Sequence, residues 1–248
     1  MSSAIFDRPL RIAAHVRACE IGGQVILLDL RAGRYMGVPH AASAEFVSRV
    51  DGWPKSATKR SEDLEVPPSA EHRGIADRLV AQGLLVHSLT EFESAPSSTP
   101  GIDDATSSLD LADIASHQTL GARRFARFLR NAGRAAWWLR RRSLHSIALT
   151  LQARRERRPD PNAVDLQRMK LSAATYERLR PLLLSAHEKC LFDSLAMMGF
   201  LASENLFPRW VIGVRIGPFG AHSWVQTGAT VLNDQHEYVR QFRPILVV

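Results

Sequence analysis

The chain has 248 residues, 45% of them hydrophobic, enough for one large domain or two small ones with ordinary cores. Its net charge of +7 points to acidic partners, while Cys19 and Cys190 lie too far apart in sequence for a zinc motif or a disulfide framework. The opening M-S-S-A-I-F-D-R-P-L lacks an apolar signal core and no stretch approaches the length of a membrane span, so no integral membrane segment and a cytoplasmic location are expected.

Residues 1–90 read as a first unit. Arg11 to Cys19 and Gln24 to Leu30 have strand character around Gly22-Gly23, and Ala32-Gly33 turns the chain into a third strand, Arg34 to Val38. Pro39 opens a helix from about Ala41 to Val50. A second helix begins near Ser69 and stops near Gly83. Three strands with two or three helices make a small winged-helix-like module. Such a module often binds DNA, but here acidic and basic residues are interspersed and no Lys/Arg-rich recognition helix is present, so no nucleic acid partner is expected.

Residues 91–108, rich in Ser, Pro and Thr and without periodicity, read as a flexible linker, so the second domain spans 109–248. It opens on a basic, aromatic stretch from Gly121 to Arg158. Phe125, Phe128, Leu129, Ala132, Ala136 and Leu139 fall on one helical stripe, expected to pack on the domain and leave an arginine face toward solvent or a partner. An anionic membrane surface or an acidic nucleic acid is the alternative occupant of that face.

The last sixty residues carry the chemistry. Ser185 to Lys189 are polar, whereas Leu191, Leu195, Met198 and Leu201 recur at helical spacing, so Cys190 is placed at a helix N-terminus, where unpaired N–H groups and the helix dipole favour a thiolate. Trp210 to Ile216, Ala221 to Gln226 and Ala229 to Leu232 read as strands. If Thr227, Gly228 and Ala229 form a three-residue hairpin loop, His222 lies directly opposite Asp234, both six residues from Gly228. A thiol, an imidazole and a carboxylate are the parts a cysteine nucleophile needs, and this layout resembles the papain-like and transglutaminase-like arrangement. His187 is a rival base by proximity, but it has no carboxylate at a definable register. Taken singly, a buried cysteine, a strand histidine and a turn aspartate are ordinary residues; their joint placement points to a site.

The stretches C-L-F-D-S-L-A, W-V-I-G-V-R-I-G-P-F-G-A-H-S-W-V and V-L-N-D, with the ending F-R-P-I-L, resemble the leader peptidases of lasso peptide biosynthesis, the B proteins, which are transglutaminase-like cysteine proteases. The resemblance implies Cys190 as nucleophile, His222 as general base and acid, and Asp234 as the orienting carboxylate, with no metal or organic cofactor. L-L-D-L-R-A-G-R-Y-M-G-V-P-H-A-A-S-A-E-F resembles the recognition element of ribosomally made, modified peptides, similar to the small chaperone of pyrroloquinoline quinone biosynthesis. That implies a precursor leader added as an extra strand beside Tyr35, Met36 and Val38, faced by Ile75, Arg78, Leu79 and Gln82 of the second helix. The implied whole is a two-domain α+β protein that binds a lasso precursor by its leader, cleaves it and passes the core to an asparagine synthetase-like lasso cyclase. A non-catalytic leader-binding escort and an amide-transfer enzyme are the competing readings.

Overall fold

The computed structural model describes residues 10–50, 53, 70–87, 101–110, 121–157, 163–182 and 189–248. It divides into two compact units, Met1–Thr99 and Pro100–Val248.

In the first unit, β2 (Val16–Ile21), β3 (Gln24–Asp29) and β4 (Arg34–Gly37) form an antiparallel meander in that order. Ile21 pairs with Gln24 across Gly22-Gly23, whose φ values of 54° and 77° suit the two-residue turn that needs positive φ at both central positions. The stretch Arg11 to Cys19 is not one strand. Its start is β1 (Leu10–Ile12), which pairs instead with β5 (Leu85–His87), and the Val16 N–H donates back to the Ala13 carbonyl at 2.8 Å, turning the chain between β1 and β2. Helix α1 (His40–Arg49) is tied to the sheet by Ser43, whose Oγ accepts from the Val25 N–H at 3.1 Å. Helix α2 (Ala70–Ala81) stops at Gly83, φ 70°, where the Leu84 N–H reaches the Leu79 carbonyl and the Gly83 N–H the Val80 carbonyl. That is the Schellman pattern, which satisfies the last carbonyls of a helix. Val25, Leu27, Val38, Phe46 and Leu79 belong to the core of this unit.

The second unit is built on a sheet of order β10-β7-β8-β9-β6. Its strands are β6 (Ser107–Ser108), β7 (Arg209–Arg215), β8 (Gly220–Thr227), β9 (Thr230–Val231) and β10 (Arg243–Val247). Residues 101–108, expected as linker, are part of this unit. β6 pairs in parallel with β9, Ala105 is buried, and the Asp103 carbonyl accepts from Gln226 Nε2 at 2.7 Å. Serine hydroxyls that suit a linker also suit a short edge strand, here through Ser107 Oγ to Thr230 Oγ1 at 3.0 Å. Residues 91–100 of the expected linker lie outside the described residues.

Helices α3 (Ala122–Arg141), α4 (Leu144–Glu156) and α5 (Ala163–Leu179), a 3-10 turn (Arg180–Leu182), α6 (Cys190–Ala202) and the short α7 (His236–Val239) complete the domain. In α6 every residue from Asp193 to Leu201 except Gly199 is buried, as expected of a helix packed on more than one side. It packs against α3 and β8. The buried face of α3 is Phe128, Asn131, Ala132, Ala135 and Trp138, which shares Phe128 and Ala132 with the expected stripe but is rotated toward Asn131, Ala135 and Trp138; Phe125 and Leu129 keep 40% and 42% of their surface exposed. Nor is the arginine face wholly solvated. Arg127 pairs with Glu204 at 3.1 Å, and Arg134, Arg142 and Arg154 lie 4.5 to 5.6 Å from the ring centre of Trp138. Among the described residues no helix is long and apolar enough to cross a membrane.

Candidate active site

Cys190 is the first residue of α6, after the cap Lys189. The sequence turns there from polar residues to a densely apolar helix, so burial of the helix fixes the half-buried thiol at its exposed start. Burial alone would raise the thiol's pKa. Hydrogen bonding and charge from His222, with N–H donation from Ser223 and Leu191, outweigh it and hold the thiol below its usual range.

His222 lies on β8 opposite Gly213 of β7 and is 9% exposed. Its Nε2 meets Asp234 Oδ2 at 2.7 Å. Burial opposes protonation of the ring, but hydrogen bonds with Asp234 and Cys190 raise its pKa to about 9. Asp234 is moved the other way: against burial, His222 and the Gln235 N–H keep it ionised below the usual carboxylate range. Imidazole and carboxylate are thus hydrogen-bonded, the thiol is electrostatically coupled to the imidazole, and all three line one cleft of about 1240 Å3.

The pairing of His222 with Asp234 does not arise from the expected hairpin. Thr227 pairs with Thr230, so the loop is Gly228-Ala229, with Gly228 (φ 52°) at the first central position that a type II′ turn reserves for glycine. The register is therefore one residue away from the expected one, and β9 ends at Val231, before Asp234. Asn233 is what fixes this segment. Its Oδ1 accepts from the Val225 N–H at 2.8 Å, its Nδ2 donates to Asp193 Oδ2 at 3.2 Å, and its carbonyl accepts from Arg180 at 3.4 Å. Asp193, 2% exposed, also accepts from the Tyr176 hydroxyl at 2.9 Å and pairs with Arg180 at 3.1 Å. Arg180 makes a further pair with Glu177 at 3.1 Å; burial still pushes that carboxyl up to about 7, and its Oε1 is buried with no hydrogen-bond partner among the described residues.

A parallel tie holds the other strand. Ser194 Oγ and Ser223 Oγ lie 2.7 Å apart, and the Trp210 indole N–H lies within reach of both. The neighbours of His222 and of Asp234 are therefore each fastened to the first turn of α6, directly after Cys190. Sequence reasoning missed Tyr176, Arg180, Asp193, Ser194, Ser223 and Asn233. The local signal was a polar Asp-Ser pair inside an otherwise apolar helix, since buried polar groups require partners.

The imidazole also sits among aromatic rings: Tyr238 at 5.0 Å, Phe242 at 5.3 Å and Trp224 at 6.2 Å between ring centres. Gly213 makes room for them, because a Cβ there would lie 2.7 Å from Trp224 Cζ3 and 2.9 Å from Phe242 Cβ. Gly213→Ala is expected to cost about 1 to 3 kcal/mol by overpacking and to shift the rings that bracket His222, read as a lower denaturation midpoint together with slower alkylation of Cys190.

Residues 129–247 match the family model of the transglutaminase-like superfamily. This domain is transglutaminase-like. Within the chain, a 45-residue stretch is 49% identical to the Microcin J25-processing protein McjB of Escherichia coli, covering 18% of this chain and 22% of that relative. The similarity thus spans under a quarter of the curated relative's length. No solved structure matches. All three groups assigned from sequence lie within the transglutaminase-like domain, whereas His187 falls outside the described residues. Among the described residues no cluster of His, Cys, Asp or Glu has the makings of a metal site.

The seven residues expected to meet a leader lie in the first unit. Tyr35 and Met36 sit on β4, the end strand of the meander, and are half-buried. Arg78 on α2 and Gln82 in the turn just after it are exposed, and Arg78 Nε donates to the Gly74 carbonyl at 3.0 Å. Ile75 is partly buried against the core. Val38 and Leu79 are corrected: at 3% and 7% exposure they are core residues, their surface already used in holding the sheet to α1 and α2.

Proposed function

We propose that this chain is a cysteine endopeptidase that removes the leader from a ribosomally made lasso peptide precursor. The observation that carries the reading is that Cys190, the 2.7 Å pair of His222 and Asp234, and the helix start that bears the thiol line one open cleft of a transglutaminase-like domain, with the thiol's pKa lowered by His222. Likeness to a protein named for processing microcin J25 supports the substrate class. In this reading the Cys190 thiolate attacks the carbonyl at the leader–core junction and forms a tetrahedral intermediate, stabilised by N–H groups at the start of α6. His222 gives its proton to the departing core amine, leaving a thioester on the leader side. Water, deprotonated by His222, then releases the leader and restores the thiol. The proton that His222 gives to the amine is replaced by the one it takes from water, so the chain ends the cycle unchanged, and no cofactor enters it.

The first unit, in the same reading, is a winged-helix-like recognition element that takes the leader as an added strand on β4, with Tyr35 and Met36 on that strand, Ile75 and Arg78 on α2 and Gln82 just after it. Fusion of the two units raises the substrate concentration at Cys190. The freed core amine passes to a lasso cyclase.

Mass spectrometry of the precursor incubated with the chain, with and without the cyclase, tests the reading. Separate leader and core masses support it. Uncut precursor that stays bound would instead make the chain an escort, and transfer of the leader acyl group to an added amine would make it an amide-transfer enzyme.

A pH dependence follows. Because the pKa of His222 is raised to about 9, the imidazolium that protonates the leaving amine persists through neutral pH and is lost as pH rises through about 9. The pH profile of kcat/KM is expected to fall on that alkaline limb. In Asp234→Asn the limb moves to lower pH, since a partner that raises the His222 pKa is gone. A limb that stays in place would place the proton donor elsewhere.

A further inference from the structure

The apolar stripe that periodicity marks on α3 is split: Phe128 and Ala132 are buried, while Leu129 is exposed and Ala136 and Leu139 are half-buried. The buried set is Phe128, Asn131, Ala132, Ala135 and Trp138, and the same positions advanced by one residue, among them Leu129, Ala136 and Leu139, line a groove of about 560 Å3. Its other side is formed by Lys189 and Phe192, the residues just before and two after Cys190. Lys189 also lines the cleft that holds Cys190, so groove and cleft adjoin at that residue. The groove's ionisable groups are Arg140 and Lys189, both cations.

Gly133 is an independent pointer. It lies in the middle of a 20-residue helix, where glycine is the poorest former after proline, and neither packing nor a turn calls for it. A Cβ there would meet nothing within 4 Å, yet the residue lines the groove. Its bare backbone keeps the groove open. A small apolar trough beside a reactive thiol, on a helix otherwise studded with arginine, has the shape and polarity to take one apolar side chain.

We propose that the groove between α3 and α6 is a substrate subsite. The precursor segment adjoining the scissile bond leaves Cys190, crosses Lys189 and lays a bulky apolar side chain beside Leu129, Ala136 and Phe192, with a neighbouring carboxylate paired to Lys189 or Arg140. The inference rests on the peptidase reading for the identity of the peptide, but the groove is testable without turnover.

The test uses the full chain carrying Gly133→Leu, which fills the trough with a better helix former. Its denaturation midpoint is expected to match or exceed that of the wild type, and iodoacetamide, too small to need the groove, is expected to alkylate Cys190 at an undiminished rate. Against the precursor, KM is expected to rise at least tenfold with a much smaller change in kcat. Precursor affinity, measured by calorimetry on the Cys190→Ala chain with and without Gly133→Leu, is expected to weaken at least tenfold. That second measurement separates the two readings: if the wild type cuts nothing but Gly133→Leu still weakens binding, the subsite stands and the peptidase reading falls. A folded Gly133→Leu chain with unchanged KM and unchanged affinity overturns the subsite and leaves the peptidase intact. So does a variant that binds precursor normally but no longer associates with the cyclase, which would make the groove a docking face for another protein.

Discussion

Cys190→Ala is expected to lower leader release by at least ~10^4-fold while leaving precursor binding within a few-fold of wild type. The size follows from how nucleophile, base and orienting carboxylate act as a unit. Removing the nucleophile removes the covalent route, and what survives is the small acceleration from binding and from N–H donors that polarise the carbonyl. Here His222 is coupled on both sides, electrostatically to Cys190 and through the 2.7 Å contact with Asp234. His222→Ala is therefore expected to cost about as much as Cys190→Ala, and the double variant little more than either. By contrast His187→Ala is expected to stay within a few-fold of wild type, because the carboxylate that raises the basicity of His222 is already committed there. Quenched time courses of leader release, read by mass spectrometry, give these ratios. Release by Cys190→Ala within tenfold of wild type would mean that another group is the nucleophile.

How much of this site was legible in the sequence differs from residue to residue, for physical reasons. The position of Cys190 was local information: a change from polar residues to 3.6-residue periodicity marks a helix start whatever the helix packs on. The strands β7 and β8 were legible because their β-branched and aromatic residues are buried in a sheet. The contact between His222 and Asp234 was foreseen with the wrong cause. A hairpin loop of two residues rather than three moves the register by one, and beyond Val231 the ladder continues only through the Leu232 N–H to the Val225 carbonyl, short of Asp234. What places Asp234 is Asn233, bound to Asp193 forty residues away and to Arg180 fifty-three residues away. Such contacts leave no local pattern. The phase of α3 failed because Phe125, Phe128, Leu129, Trp137 and Trp138 mark two adjacent apolar faces, and periodicity cannot say which one meets α6. Residues 101–108 failed because a two-residue parallel strand is made by its partner, β9, and not by its own composition.

Asp193 carries the second large effect, since it is the point where fold and chemistry meet. Its carboxylate is buried and takes three donors: Tyr176, Arg180 and Asn233. Asp193→Ala would take the carboxylate from the buried Tyr176 hydroxyl and the Asn233 amide and from the half-buried Arg180, which keeps Glu177, and breaking one partner of a buried ion pair costs up to about 3 to 5 kcal/mol. That change is expected to lower the denaturation midpoint sharply, and lost activity alone would then say nothing about positioning. Asp193→Asn is the sharper probe: it keeps an oxygen for the Tyr176 hydroxyl but removes the charge facing Arg180, leaving Asn233 free to shift. If Asn233 places Asp234, the Asn variant should stay folded at moderate denaturant, lose at least tenfold in kcat and show a lower His222 pKa as Asp234 drifts from the ring. Asn233→Ala should reproduce the fall in kcat and the lowered pKa by cutting the same clamp from the other end. Because Asp193 sits one turn after Cys190 on α6, nucleophile and clamp move as one rigid piece, and displacement of Asp234 is then a displacement relative to the thiol. An Asp193→Asn chain with wild-type kcat and an unmoved imidazole pKa would show that the short loop after β9 holds Asp234 unaided.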